Sequence, residues 1–317
     1  MSNIRFESVT KQFANAQRPS VAEVSLQIDE GSFVVLLGPS GCGKTTMLKM
    51  INRLVEPTAG AIYLGEQNIL NMDATELRRQ IGYVIQQIGL FPHMTVAKNI
   101  AIVPELLKWP KDKIETRIDE LLTLVDLPPE EYRNRYPSQM SGGQRQRVGV
   151  ARALAGDPDV ILMDEPFGAI DAITRSGLQD EMIHLHRRLK KTIVFVTHDV
   201  EEALRLADKI VIMREGSIVQ YDSPFTILSH PADQFVRDLV GADDMVRQLS
   251  LIRVETAMEP LPADYVINGC PSIAYDADLR AALSVLLSTH AAALTVMDEE
   301  TPLGLLTLQS IQSAATA

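Results

Sequence analysis

Short β-branched runs punctuated by Gly and Asp open the chain: Ile4 to Val9, Val24 to Ile28, Phe33 to Leu37 and Ala61 to Leu64. Each has the length and composition of a strand. Further on, Val160 to Met163, Thr192 to Thr197 and Lys209 to Met213 are almost unbroken apolar runs. Strands covered on both faces by helices read this way, because neither face alternates toward water. Between these runs the period changes. Ile114, Ile118, Leu121, Leu122 and Val125 fall on one helical face with charged residues opposite. A second helix is predicted to open at Ser141 and its two following glycines, run through Ala155, and stop at Gly156-Asp157-Pro158. The predicted class is α/β, with a helical insertion over about residues 90–155.

A boundary is expected after the helix Pro231 to Val240, at Gly241-Ala242-Asp243-Asp244. Beyond it the pattern restarts as strand (Ser272 to Tyr275), helix (Ala277 to Ser288), strand (Ala292 to Met297), acidic turn (Asp298-Glu299-Glu300), strand (Leu303 to Leu308) and helix. Two domains are therefore predicted, residues 1–240 and a small α/β unit over 241–317. Charge changes there as well. Three arginines against ten Asp and Glu leave −7 in the tail, out of −11 for the whole chain.

At 317 residues, 46% apolar and 22% charged, the chain is long enough to bury a sizeable core and too ordinary in composition for long disorder. Its acidic balance repels phosphate backbones and anionic headgroups, so broad nucleic-acid binding is not expected. Only Cys42 and Cys270 occur, which gives no disulfide framework and suits a reducing compartment. Met1 to Ser20 holds no apolar core of signal-peptide length. The most apolar long stretch, Ala281 to Met297, is interrupted by Ser284, Ser288, Thr289, His290 and Thr295. It falls short of the ~18 clean apolar residues of a spanning helix. A soluble chain is expected, with any membrane role exercised through a partner.

The chemistry concentrates at strand ends. Gly38-Pro39-Ser40-Gly41-Cys42-Gly43-Lys44-Thr45 fits the G-x-x-x-x-G-K-[ST] pattern between the strand Phe33 to Leu37 and a helical run, Thr46 to Leu54. Glycines let the backbone wrap closely, so that successive N–H groups and the helix N-terminus point at phosphate oxygens, while Lys44 adds a point charge near the outer phosphates. The hydroxyl of Thr45 is then placed for Mg²⁺, and Thr46 lies in the same first turn. Asp164 and Glu165 follow the buried strand Val160 to Met163. An adjacent acidic pair is usually a solvated loop. After an apolar strand in a chain with this phosphate loop, Asp164 reads as part of the Mg²⁺ shell and Glu165 as the general base that polarises the attacking water. His198 emerges at the carboxyl end of a third strand, the edge at which open α/β sheets bind ligands, and reads as a γ-phosphate contact. His93, His184, His186, His230 and His290 read as structural.

Ser141-Gly142-Gly143-Gln144 precedes the Asp164 strand by about 20 residues, and with this addition the set resembles the ATP-binding cassette (ABC) family. The resemblance implies a P-loop NTPase fold with an antiparallel and a helical subdomain. It also implies that Ser141, Gly142, Gly143 and Gln144 bind the γ-phosphate of ATP held by a second copy's P-loop. An exposed helix N-terminus with side-chain-free residues suits that anion. Three more positions carry over by resemblance. Phe13 matches the aromatic that stacks on adenine, unless it is a core residue. Gln86 matches the glutamine that touches Mg²⁺ and the attacking water and relays nucleotide state to the membrane subunit. Asp171 matches the aspartate of the loop after the acidic pair, with Gly168 and Ile170 in place of the commoner Ser and Leu. Met140 stands for the usual leucine before Ser141.

The segment Ile81 through Val96 looks most like the ATPase subunits of osmoprotectant importers for glycine betaine, choline, carnitine or related quaternary ammonium solutes. The tail is similar to one cystathionine-β-synthase-type (CBS) repeat. The expected activity is ATP hydrolysis, with ATP and Mg²⁺ as cofactors, at two composite sites in a head-to-tail homodimer. The expected partners are an integral-membrane permease and, indirectly, an extracytoplasmic solute-binding protein, with no nucleic acid. The expected location is the cytoplasmic face of the inner membrane, peripheral through the permease. A soluble ABC remodelling factor would usually carry two cassettes or a long coiled-coil insert, and neither is visible. A small-molecule P-loop kinase would lack the Ser141 signature.

Overall fold

The strand runs of the first half sort into two sheets according to what covers them. In the computed structural model, which describes residues 3–14, 16–85, 89–168, 172–261 and 270–316, the alternating runs β1 (Ile4–Lys11) and β2 (Val21–Ile28) pair antiparallel. With β4 (Ala59–Leu64) and β5 (Gln67–Asn68) they form one sheet in the order β2-β1-β4-β5. The unbroken apolar runs build the second sheet. It contains β3 (Phe33–Leu37), β6 (Ile81–Val84), β7 (Val160–Asp164), β8 (Thr192–Val196), β9 (Lys209–Arg214) and β10 (Ser217–Asp222), ordered β10-β9-β3-β8-β7-β6. The ladders joining β9, β3, β8, β7 and β6 are parallel. Every residue of β3, β7 and β8 is buried, as strands sandwiched between helices require.

One apolar cluster runs from the antiparallel sheet (Ile4, Phe6, Ile28, Ile62) through Met47 and Leu48 of α1 (Lys44–Ile51) to Val34, Leu162 and Val194 of the central sheet. Between β5 and β6 lies α2 (Ala74–Arg79), and between β6 and β7 the helical insertion: α3 (Val96–Leu106), α4 (Lys111–Leu124), α5 (Pro129–Tyr132) and α6 (Gly142–Leu154). Ile114, Ile118, Leu121, Leu122 and Val125 are all buried, the face their spacing predicts. The loop entering α3 is fixed by Asn99, fully buried, whose Oδ1 accepts from Phe91 N at 2.8 Å while Nδ2 donates to the carbonyls of Phe91, Met94 and Thr95. After β7, α7 (Ala172–Leu189) and α8 (Val200–Leu206) flank β8 in sequence.

The chain divides into two units, Met1–Tyr221 and Asp222–Ala317. This division falls ahead of the Gly241 boundary expected from composition. Helices α9 (Pro224–Ser229) and α10 (Gln234–Val240) pack on each other, and α9 packs on α11 (Met245–Leu249), so both go with the tail. The tail continues with α12 (Val254–Ala257), β11 (Glu259–Pro260), β12 (Ser272–Ala274), α13 (Leu279–Thr289), β13 (Ala293–Asp298), β14 (Thr301–Thr307) and α14 (Leu308–Thr316). Its sheet has the order β11-β14-β13-β12, with β12 and β13 parallel across α13 and β13 and β14 a hairpin. Leu249, Val254, Leu279, Leu286, Leu294, Val296 and Leu306 form a core of its own. Ala281 to Met297 therefore spans most of α13 and β13 of a βαβ unit, with Ala282, Leu286, Leu294 and Val296 buried and Leu287 exposed, and among the described residues no helix is long and apolar enough to cross a membrane.

Candidate functional site

The phosphate loop begins where β3 ends, and its glycines answer to neighbouring backbone. At Gly38 (φ 152°) a Cβ would stand 2.3 Å from Met213 O, and at Gly43 (φ 113°) 2.2 Å from Ser20 O, so no side chain is accommodated at either. Gly43 is also the left-handed N-cap of α1, which starts at Lys44, two residues earlier than the sequence pattern predicts. Lys44 is buried, and its ammonium donates to Gly38 O at 2.7 Å and Pro39 O at 3.0 Å, with Cys42 Sγ at 3.8 Å. Pro39, Ser40 and Gly41 are exposed, and Thr46 is half-buried in the first turn of α1.

Thr45 Oγ1 donates to Asp164 Oδ1 at 3.0 Å, which joins the α1 terminus to the end of β7. Asp164 is buried, and that burial pushes its carboxyl above the ordinary value, with the Thr45 hydrogen bond and the charges of Lys49 and Lys44 opposing and the Glu165 charge adding. Its own burial, and then the Asp164 charge, push the Tyr83 phenol up to about 12. A hydroxyl and a carboxylate meeting here form an oxygen pair of the kind a hard divalent cation selects while keeping several of its waters. The residues present fit Mg²⁺.

Glu165 takes a left-handed backbone (φ 45°), and its N–H donates to Val196 O at 3.0 Å, so the strain is held by the neighbouring strand. That turn brings Glu165 Oε2 to 3.4 Å from His198 Nδ1. The base candidate and the phosphate-contact candidate, far apart in sequence, thus share one edge of the sheet. The His198 side chain remains 62% exposed.

Ser141 caps α6. Its Oγ accepts from Gln144 N at 3.2 Å, its own N–H donates to Gln144 Oε1 at 2.9 Å, and Gln144 Nε2 donates to Tyr132 OH at 2.9 Å. Gln144 is thus engaged at both ends as a capping partner. The Ser141 hydroxyl keeps its proton as a donor. Every described hydrogen bond of Ser141 stays within its own helix start. Gly143 is buried, whereas Gly142 has ordinary helical φ and a Cβ there would meet nothing within 4 Å. Phe13 is 43% exposed, so it is not a core residue, and Lys11 Nζ lies 5.1 Å from its ring centroid. Gln86 and Asp171 lie outside the described residues. Of the residues assigned a structural role, His186 Nε2 pairs with Gly31 O at 3.0 Å.

The model of the family described as ABC transporter matches residues 21–168. The chain is 50% identical over 297 residues to the carnitine transport ATP-binding protein OpuCA of Listeria monocytogenes, covering 93% of this chain and 72% of that protein. The chain belongs to the ABC transporter ATP-binding family. It is also 49% identical over 315 residues to the glycine betaine uptake system ATP-binding protein YehX of Escherichia coli strain K12, covering 97% and 98% of the two chains. The sulfate/thiosulfate import ATP-binding protein CysA of Synechococcus elongatus matches at 48% identity, over 238 residues and 75% of this chain. Among solved structures, a dimeric ATP-binding cassette in a post-hydrolysis state with ADP and phosphate superposes with a TM-score of 0.62 at 35% identity, covering 70% of this chain and 98% of that one. This ABC protein is accordingly an ATPase with the P-loop NTPase fold, and the P-loop, the Asp164-Glu165 pair and His198 sit at the carboxyl edge of its parallel sheet.

Two sets of supporting residues escape the sequence reading. Tyr132 anchors Gln144, and a cluster of Thr197, Glu202, Arg175 and Gln179 lies beside His198. Their neighbour Asp199 has a local signal, as an N-cap residue followed by acidic residues at the start of α8.

Proposed function

We propose that this ATPase energises import of a quaternary ammonium osmoprotectant, of the glycine betaine, choline or carnitine type, through a separate membrane permease. One observation carries the choice of solute. Similarity to the glycine betaine relative runs through 97% of the chain, tail included, whereas similarity to the sulfate relative covers 75%. The sulfate relative matches at 48% over 238 residues, so the cassette by itself does not single out a solute, and the extent of the match into the tail makes the difference. The second reading is therefore an importer ATPase for another small solute.

Within this reading ATP is held by Lys44, the P-loop amides and the exposed Phe13. Thr45, Asp164 and Gln86 hold Mg²⁺, which neutralises developing phosphate charge. Glu165 polarises the attacking water, His198 contacts the terminal phosphate, and Ser141 with the α6 amides of a second copy closes the site. The room beside Gly142 supports that closure, because nothing inside this chain requires the missing side chain. ATP joins two copies while the terminal phosphate is bridged, and its hydrolysis removes the bridge and lets them part. Gln86 relays that change to the permease. Residues 241–317 act as a single CBS-like regulatory unit whose apolar faces pair between the two copies. The ATPase works at the cytoplasmic face of the inner membrane, peripheral through the permease, downstream of an extracytoplasmic binding protein.

The test is uptake of labelled glycine betaine, choline, carnitine and sulfate by cells expressing the complete transport system. Accumulation of at least one quaternary amine, lost with Lys44→Ala, supports the reading. Accumulation of sulfate alone overturns it. Co-purification of the chain with a membrane subunit separates transport from a soluble remodelling role.

A further inference from the structure

Beside His198 lies a buried polar cluster that the roles above leave unused. Glu202, on α8, is 5% exposed. Its Oε2 accepts from Thr197 Oγ1 at 2.7 Å, and its Oε1 lies 3.5 Å from Gln179 Nε2 and 3.9 Å from Arg175 Nε, both on α7. Thr197 is also buried, and its Oγ1 accepts the Asp199 N–H at 3.0 Å. Asp199 in turn caps α8 through the Glu201 and Glu202 N–H groups, and its Oδ2 meets Arg175 Nη1 at 3.4 Å. His198 therefore sits between Thr197, bonded to the Glu202 carboxylate, and Asp199, which meets the arginine that also faces that carboxylate.

This arrangement costs stability. Burying a carboxylate carries a desolvation penalty that apolar residues of similar volume would avoid. What the cluster supplies is geometry. An imidazole that is 62% exposed is not held by packing, so its aim depends on the backbone turn Thr197-His198-Asp199. The Glu202 carboxylate fixes the Thr197 end of that turn at Oγ1, while at the other end Asp199 is held by the backbone N–H groups of Glu201 and Glu202 and by Arg175. The same strand carries Val196, whose carbonyl takes the strained Glu165 N–H. Arg205 of α8 adds bonds to Ser176 Oγ, Gln179 Oε1 and Asp180 Oδ1 of α7, so the turn is attached to that helix by more than one arm.

We infer that Glu202 is a positioning residue for hydrolysis: through Thr197 it sets the turn that aims His198 at the terminal phosphate, and through Arg175 it ties that turn to α7. The inference rests on the reading of His198 as a phosphate contact, and the test keeps the two apart.

Steady-state ATPase rates and ATP KM are measured on the purified full chain for His198→Ala, Glu202→Ala, Glu202→Gln, Thr197→Val and the double variant His198→Ala/Glu202→Ala. Loss of kcat in His198→Ala establishes the contact, and a wild-type kcat there sinks the His198 reading itself. Given that loss, Glu202→Ala is expected to lower kcat about tenfold or more while moving KM less than about threefold. Glu202→Gln, which keeps an acceptor for Thr197, is expected to recover most of the rate. In the double variant Glu202→Ala should add nothing, because it acts only through the missing imidazole. Losses that multiply in the double variant, or a Glu202→Ala enzyme with wild-type kcat, overturn the inference. Should Glu202→Ala fail to fold, Thr197→Val removes the Glu202 link together with the Asp199 N–H bond, and Thr197→Ser, which keeps both, is its control: a kcat loss in Thr197→Val at little-changed KM, recovered in Thr197→Ser, supports the inference, and a wild-type kcat in Thr197→Val overturns it.

Discussion

Replacing Gly142 by alanine should stabilise the chain and slow the enzyme at once. Gly142 is the first residue of α6, takes helical rather than left-handed φ, and would place a Cβ where nothing lies within 4 Å. Glycine in a helix costs roughly 0.5–1 kcal/mol relative to alanine, and the first turn realises part of that. A gain of up to about 0.5 kcal/mol corresponds to a Tm increase of ~1–2 °C for a domain of this size. The effect on turnover runs the other way. In the proposed composite site the amides at the α6 N-terminus are the donors offered to a phosphate on the second copy, and a methyl group in their approach would forfeit on the order of one charge-assisted hydrogen bond. That is ~1.5–3 kcal/mol, or ~10–150-fold in rate. Thermal melts of the apo chain and phosphate release at saturating Mg-ATP measure the two sides. Full turnover with the expected gain in Tm would remove Gly142 from the phosphate site. A drop in Tm would show that the open space beside it is filled in solution.

The contrasting change, Gly43→Ala, should lower stability by about 2 kcal/mol or more, because positive φ and a Cβ 2.2 Å from Ser20 O act together. Chemical denaturation checks it. Glu165→Gln keeps the size and one acceptor of the side chain but not its basicity, so ATP binding should persist while turnover falls by about 10²-fold or more. Gel filtration with Mg-ATP should then show a trapped dimer, and a monomer at high concentration would contradict the composite site. For Asp164 the sign follows from burial. Its native carboxyl holds a proton to higher pH than the unfolded chain's does, so the stability of the protonated form is complete below the unfolded value and is lost as pH rises through the native one. Asp164→Asn, which still accepts from Thr45, should therefore melt higher than the parent at about pH 7, with the advantage shrinking toward about pH 4, and should be inactive. A parent that melts higher at neutral pH would refute this.

How much of this could be read in advance depends on how local each signal is. β3 runs over the residues its apolar pattern predicts, because both its faces are covered and no register choice arises. The two residues of β11 carry no periodicity, and β6 has a glycine at its second position, so neither stands out before its partners β14 and β7 are known. The last tail strand begins at Thr301 rather than Leu303, because the left-handed Glu299 turns the chain tightly enough for Asp298 to pair with Thr301. The P-loop, the Asp164-Glu165 pair and the Ser141 cap are contiguous motifs and legible as such. The Glu202 cluster is not, since its members come from α7, the end of β8 and α8, and only the parallel crossover brings them together.

That crossover also explains how the catalytic groups are kept in register. Lys44 and Thr45 follow β3, His198 follows β8, and Asp164 and Glu165 end β7, three strands adjacent in the order β3-β8-β7. Neighbouring strands stand about 4.8 Å apart, and the ladder registers Val35↔Phe195 and Met163↔Phe195 fix their ends against one another. Three fully buried strands cannot slide without breaking those ladders, so the groups they carry form one rigid half of the site. Ser141 comes instead from the helical insertion, on a helix whose cap is anchored through Gln144 to Tyr132 of the same insertion. In the proposed mechanism a phosphate bridging the rigid half to such a terminus is the contact whose presence depends on nucleotide state. On that mechanism the strain at Glu165 and the cluster around Glu202 belong on the rigid half, where the aim of two side chains would have to survive each opening of the other.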